Sequence, residues 1–251
     1  GVALALRHAR ALDRTVVTRR FFRDFRAQRA RVAESWRGVP EGAVSERGQL
    51  ALLLLSRLLF LYFLQRRGQL AGDREYLPRR FREWCRQGLP SSFYRAVLTP
   101  LFFGALNTRP EHRDAGARAL GALPYLNGGL FERHALERRF PDAEVPDEVI
   151  AGVFDDLLER YRFTTREAAD AAVDGASDLG VDPEMLGRVF EGLMAPDRRG
   201  ASGTFYTPAP VADRLVRDAL EAWLTGTAGP LAEAAARLVR DGETGGLDPV
   251  Q

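Results

Sequence analysis

Lysine does not occur in this chain, and all 36 basic residues are arginine. That absence excludes, in standard form, chemistries that need a primary amine at the site. A nucleotide P-loop lacks its Lys, a Schiff-base enzyme lacks its nucleophile, and a nuclease site of the Asp/Glu-x-Lys type lacks its cation. A single cysteine, Cys85, permits no intramolecular disulfide, and with three scattered histidines it gives no metal-ligand spacing. A reducing compartment, the cytoplasm, is the expected location. Long apolar runs are scarce as well. Leu50 to Leu64 is short for a span and carries Ser56 and Arg57 at its middle, so it reads as a buried helix and no membrane partner is expected. No secretory signal is visible, since Gly1 to Ala11 contains Arg7, His8 and Arg10, and the start reads as internal to a longer protein.

What is present suffices for a core: 251 residues, 45% of them hydrophobic. Net charge is only +2, but it is unevenly spread. Residues 1 to 100 hold 20 arginines against 8 acids, whereas residues 101 to 251 hold 16 against 26. A basic first part suits nucleic acid and an acidic second part does not.

Helical periodicity dominates, so the expected fold class is mainly α, an irregular multi-helix domain with at most a few short strands near Tyr125, Phe163 and Phe205. Leu12 to Arg37 reads as a helix capped by Asp13 and ended by Gly38, with Val17, Phe21 and Phe25 inward. Arg19, Arg23 and Arg26 lie on the same helix and are the candidate DNA-binding residues, with a solvated basic face as the plain alternative. Ser45 to Arg67, apolar nearly all round, makes a second helix stopped by Gly68, in which Arg57 needs a partner if buried. Glu75 to Arg86 follows, then Ser91 to Leu106, capped by Ser91 and kinked or divided at Pro100. Asn107 to Gly121 reads as a loop, and Asn127-Gly128-Gly129 as the turn of a small hairpin or a packed loop. Pro146 to Tyr161 is helical, and Arg162 to Thr165 is extended. The Ala, Asp and Gly-rich stretch Ala168 to Gly180 reads as a linker or insertion. The expected division is 1–165 as a helical region, 166–181 as linker, and 182–251 as a helical lead-in.

Most of the chemistry sits in Gly203-Thr204-Phe205-Tyr206-Thr207-Pro208 and the apolar-periodic run Ala209 to Leu224. Thr207 is a good N-cap and Pro208 a good first helical residue, so a helix N-terminus is expected there, held on an aromatic anchor. Such an end carries free N–H donors and partial positive charge, which suit a carboxylate or phosphate.

This motif, with Val211, Leu215 and Val216 behind it, resembles the one that precedes the catalytic domain in adenine-N6 DNA methyltransferases of the type IIG restriction and phage-defence (BREX-like) kind. Asp182-Pro183-Glu184-Met185-Leu186-Gly187-Arg188-Val189-Phe190-Glu191 resembles the helix leading into it. Leu59 to Gly68, Leu123 to Glu132 and Arg162 to Glu167 are similar to that family's helical region, so the resemblance covers residues 15 to 224 or so. It implies S-adenosylmethionine as cofactor, with Phe205, Tyr206, Thr207 and Pro208 beside its methionine end. It also implies double-stranded DNA as partner, with proteins of a defence system as further partners. The family's Asn/Asp-Pro-Pro-Tyr/Phe loop, which holds a flipped adenine, is not in this sequence, and neither is a Rossmann-like domain with its Gly-rich turn. No catalytic residue and no metal ligand is therefore assigned, and the cofactor site is expected to be incomplete within these residues. Leu247-Asp248-Pro249 reads as the opening of that glycine loop or as the cap and first residue of another helix. The alternative to the methyltransferase reading is a non-catalytic helical module that binds DNA or a partner protein.

Overall fold

The computed structural model describes residues 2–126, 129–163, 180–181, 187 and 209–227. It divides into two compact units, Gly1–Met185 and Leu186–Gln251. The fold is mainly α, as periodicity predicts.

In the first unit, α1 (Val2–Ser35) packs against α2 (Val44–Arg66). Val17, Phe21, Phe25 and Val32 supply the buried stripe of α1, and Trp36 just beyond its end is buried too. The helix runs back through Asp13 to Val2, so Asp13 does not cap it. No Gly or Pro separates Val2 from Leu12, and a lone internal Asp costs the helix little. At the other end Gly38 turns the chain at φ +73, and a Cβ there would stand 2.4 Å from the Asp142 carbonyl oxygen, so only glycine fits. The Arg47 guanidinium closes the helix end by donating to the carbonyls of Ala33 (2.8 Å), Val39 (2.9 Å) and Glu34. It thereby satisfies α1 carbonyls that have no partner inside the helix.

Helix α2 is long and apolar enough to cross a membrane, yet it is the central core helix, with Leu50, Leu54, Leu55, Leu58, Leu59 and Leu61 buried. It ends at Gly68, whose φ is +70 and whose N–H donates to the Gln65 carbonyl at 2.8 Å. Helix α3 (Tyr76–Gln87) follows. Tyr94–Leu98 and Pro100–Leu106 then run on through Thr99 as one wide, π-helical element, α4. Pro100 neither kinks nor divides it in the expected way. Having no N–H to give, it shifts the ladder by one residue, so that Thr99 donates to Tyr94 and Asn107 to Phe102. Ser91 is not the cap. Ser92 Oγ accepts from the Arg95 N–H at 3.3 Å, and the Asp147 carboxylate accepts from the Phe93 N–H at 2.7 Å and the Trp84 indole at 2.8 Å. A partner 54 residues away in sequence leaves no local signal.

The stretch 107–121 is not wholly loop. Asp114 accepts from the Ala117 N–H at 2.7 Å and starts α5 (Ala115–Ala119), a helix too short to show periodicity. Near Tyr125 the described residues form no strand. The Leu126 N–H donates to Leu106 at 2.8 Å, and Gly129–Phe131 makes a single turn, so the packed-loop alternative holds there. Asn127 and Gly128 lie outside the described residues. Helix α6 (Ala135–Arg139) precedes α7 (Asp147–Val153), which continues through Phe154–Leu158, and Val149, Val153, Leu157 and Tyr161 are buried along one stripe. Strand β1 (Arg162–Phe163) pairs in parallel with β2 (Gly180–Val181), Arg162 opposite Gly180 and Phe163 opposite Val181. Phe163 sits 5.3 Å from the ring of Tyr62 and 5.1 Å from that of Phe63, which fixes β1 on α2. In the second unit, α8 (Ala209–Thr227) occupies the predicted apolar-periodic run.

Candidate nucleic-acid interface

The 3.6-residue turn places side chains four and seven positions apart on one stripe, so Arg19, Arg23 and Arg26 share a face. Phe21, Phe25, Gln28 and Val32 point to the core, and the three arginines stand on the opposite, exposed side of α1. They are not equally available. Arg26 stacks over Phe22, its guanidinium carbon 4.5 Å from the ring centroid, which leaves the edge donors of the fork open. Arg19 is exposed with no ion pair among the described residues. Arg23 curls back along the helix to Asp24, with Nε and Nη2 at 3.0 and 2.9 Å from one carboxylate oxygen. Binding a phosphate would require Arg23 to leave or share that contact. On the flanks, Arg31 faces Asp156 at 3.6 Å, and Arg29 donates to the Gly48 carbonyl at 3.4 Å.

Asp24 is the electrostatic counterweight of this face. Only 9% exposed, it accepts from the Tyr161 hydroxyl at 2.9 Å and lies 3.7 Å from Arg160. Burial alone would raise its carboxyl, but the hydrogen bonds from Arg23 and Tyr161 and the charges of Arg23 and Arg160 outweigh it and hold the group below its usual range. The same contact, after burial, pushes the Tyr161 hydroxyl up. A carboxyl depressed in the folded state contributes stability above its unfolded value of roughly 3.9, and that stability is lost as pH falls through the folded value. Asp24→Asn is therefore expected to lower the melting temperature at pH 7, and the gap to the parent protein is expected to narrow as pH falls below the ordinary carboxylate value of roughly 3.9. A constant gap across a calorimetric pH series would contradict this account.

A second built feature is the Arg57 site. Its side chain is 1% exposed, and the pair needed by so buried a cation is Glu137 on α6, at 2.6 and 3.0 Å in bidentate geometry. Arg57 also donates to the carbonyls of Leu130 (2.7 Å) and Glu132 (2.8 Å), and Glu137 accepts the His134 N–H at 2.8 Å. The expectation that Arg57 has a structural partner is met, but Glu137 itself was missed in the sequence. Its signal was the capping-box spacing His134-x-x-Glu137. The site pins the 130–137 segment to α2, and its groups are fully occupied with one another.

Phe205, Tyr206, Thr207 and Pro208 lie outside the described residues, as do Asp182-Pro183 and Leu247-Asp248-Pro249. What is described there is α8 from Ala209 onward. On α8, Val211, Leu215, Val216 and Leu220 are exposed, and Arg214 reaches Asp218 at 3.5 Å on the polar side.

No family model matches the chain, and no solved structure matches it. Among curated proteins it is 29% identical, over 188 residues, to a Methanocaldococcus jannaschii protein named for a proposed type II restriction enzyme and methyltransferase. The match takes in 72% of this chain and 15% of the relative. The chain thus spans under a sixth of the length of the curated relative it matches.

Proposed function

We propose that these residues are the helical region of an S-adenosylmethionine-dependent, site-specific DNA adenine-N6 methyltransferase that serves restriction-modification or phage defence. The observation that carries the reading is the similarity across 72% of this chain to a far longer relative named as a restriction enzyme and methyltransferase. The sequence motifs supply the finer assignment. Residues 1–165 form the scaffold and present Arg19, Arg23 and Arg26 to the phosphates of double-stranded DNA. Residues 166–181 connect to 182–251, which carry Phe205-Tyr206-Thr207-Pro208 to the cofactor-side wall of a catalytic domain.

When bound, S-adenosylmethionine supplies the methyl group. Phe205, Tyr206, Thr207 and Pro208 would hold its methionine end, with the Thr207 hydroxyl and the N–H groups of a helix N-terminus there as donors suited to the carboxylate. Thr207→Ala separates this role from simple capping. Loss of a cap costs about 1 kcal/mol of stability and no more. In the longest polypeptide that contains these residues, Thr207→Ala is expected to weaken S-adenosylmethionine binding beyond that loss, while the 251-residue chain alone binds it poorly. Titration calorimetry on both is the check. Tight binding by the 251-residue chain, or indifference of the longer protein to Thr207→Ala, would remove the cofactor role.

A further inference from the structure

We infer that a second phosphate-binding surface lies at the C-terminal end of α4, where Arg109, Arg133 and Arg138 meet the backbone of the same nucleic acid. The inference rests on the reading that double-stranded DNA is the partner, and it places contacts outside the strongly basic first hundred residues.

Several exposed arginines elsewhere on this unit are paired with carboxylates. Arg79 pairs with Asp73 and Glu83, Arg82 with Glu75, Arg95 with Asp142 and Arg139 with Glu46. Around the end of α4 two arginines lie over rings and pair with no carboxylate among the described residues. The Arg133 guanidinium carbon lies over Phe103, 4.1 Å from the ring centroid, and that of Arg109 lies over Tyr125 at 5.5 Å. Both are exposed. Phe103 also carries the Arg57 guanidinium at 5.1 Å, but that charge is matched by buried Glu137. Among the described residues neither Arg133 nor Arg109 has a carboxylate within ion-pair distance. Arg138, exposed on α6, donates to the Arg133 carbonyl, which brings a third guanidinium to the same place.

The two stacked pairs share one support. Phe103 is part of α4, and Tyr125 is held to its last turn by the Leu126 to Leu106 bond. Buried Arg113 fixes the intervening chain through the carbonyls of Thr108 (3.1 Å), Leu123 (2.8 Å) and Pro124 (3.1 Å). A guanidinium stacked on a ring loses little further freedom on binding and keeps its edge donors for a bidentate oxyanion. Exposed Glu111 and Glu132 oppose an anion here, and neither is paired with these arginines. Asp114 is occupied with its cap.

The test is fluorescence anisotropy of a labelled 20-base-pair duplex with the 251-residue chain, read as affinity against salt. Each phosphate contact adds about 0.9 to the slope of log K on log salt, which is a factor of roughly 8 in affinity near 0.1 M. Arg109→Gln and Arg133→Gln are each expected to lower the slope by about one and the affinity roughly 5- to 10-fold, equally on unrelated sequences. Arg133→Lys is expected to keep the slope, and Arg74→Gln, an exposed control, to change nothing. A slope unchanged in the Gln variants but lowered by reversal of the α1 arginines would overturn this inference and leave the DNA reading standing. Failure of the parent chain to bind duplex at any salt would remove both. Melting temperatures are expected to match the parent. A fall of several degrees in Arg133→Gln would assign the stacked arginine to the fold and overturn its role as a ligand contact.

Discussion

Arg57→Ala is expected to destabilise the first unit by about 3–5 kcal/mol, the usual consequence of removing one member of a buried ion pair. The reason is what remains behind. Glu137, 6% exposed, would keep its charge or take up a proton in a space built for a guanidinium, and the Leu130 and Glu132 carbonyls would lose their donor. A domain has only about 5–15 kcal/mol to lose, so the variant is expected to unfold at a much lower denaturant concentration or during purification. Glu137→Ala is expected to cost a similar amount by stranding the cation. Replacing both, as Arg57→Met with Glu137→Leu, is expected to recover much of the loss, because an apolar pair of similar volume avoids the desolvation of two charges. Denaturation midpoints of the four proteins decide the matter. Losses that simply add in the double variant would mean that the two residues stabilise the fold independently.

Reversing Arg19, Arg23 and Arg26 together to Glu is expected to weaken duplex binding roughly 100- to 1000-fold near 0.1 M salt and to reduce the salt slope by about three. Three phosphate contacts account for most of this, and the new negative charges add repulsion on the same stripe. The face is exposed, so the fold should tolerate the change, apart from the Arg23 contact to Asp24. Single variants are expected to rank unequally. Arg26, preset on Phe22, should matter more than Arg23, which must leave or share its carboxylate. Unchanged binding by the triple variant would reduce this basic helix to a solvated surface.

Much of the architecture was legible from periodicity. The stripe Val17, Phe21, Phe25 and Val32 and the apolar run through α2 both show which side is buried, because a helix repeats its core face every three or four residues. The exposed arginine stripe follows from the same geometry. What stayed hidden depends on distant partners or very short elements. Nothing near Phe93 announces Asp147, nothing near Arg57 names Glu137, and α5 has too few residues for any period to emerge. The aromatic supports under Arg109 and Arg133 escaped notice for the same reason, since Tyr125 and Phe103 become their neighbours only after the chain has folded. Thr207-Pro208 rests on local capping rules alone, and both residues lie outside the described ones.

The most direct test of the proposed activity is mass spectrometry of nucleosides from a host lacking adenine methylation, expressing the longest reading frame that contains these residues. The account predicts N6-methyladenine in the host DNA, confined to one sequence context and lost together with S-adenosylmethionine binding. Methylation of cytosine in its place, or no modified base from a folded protein that binds S-adenosylmethionine, would contradict it.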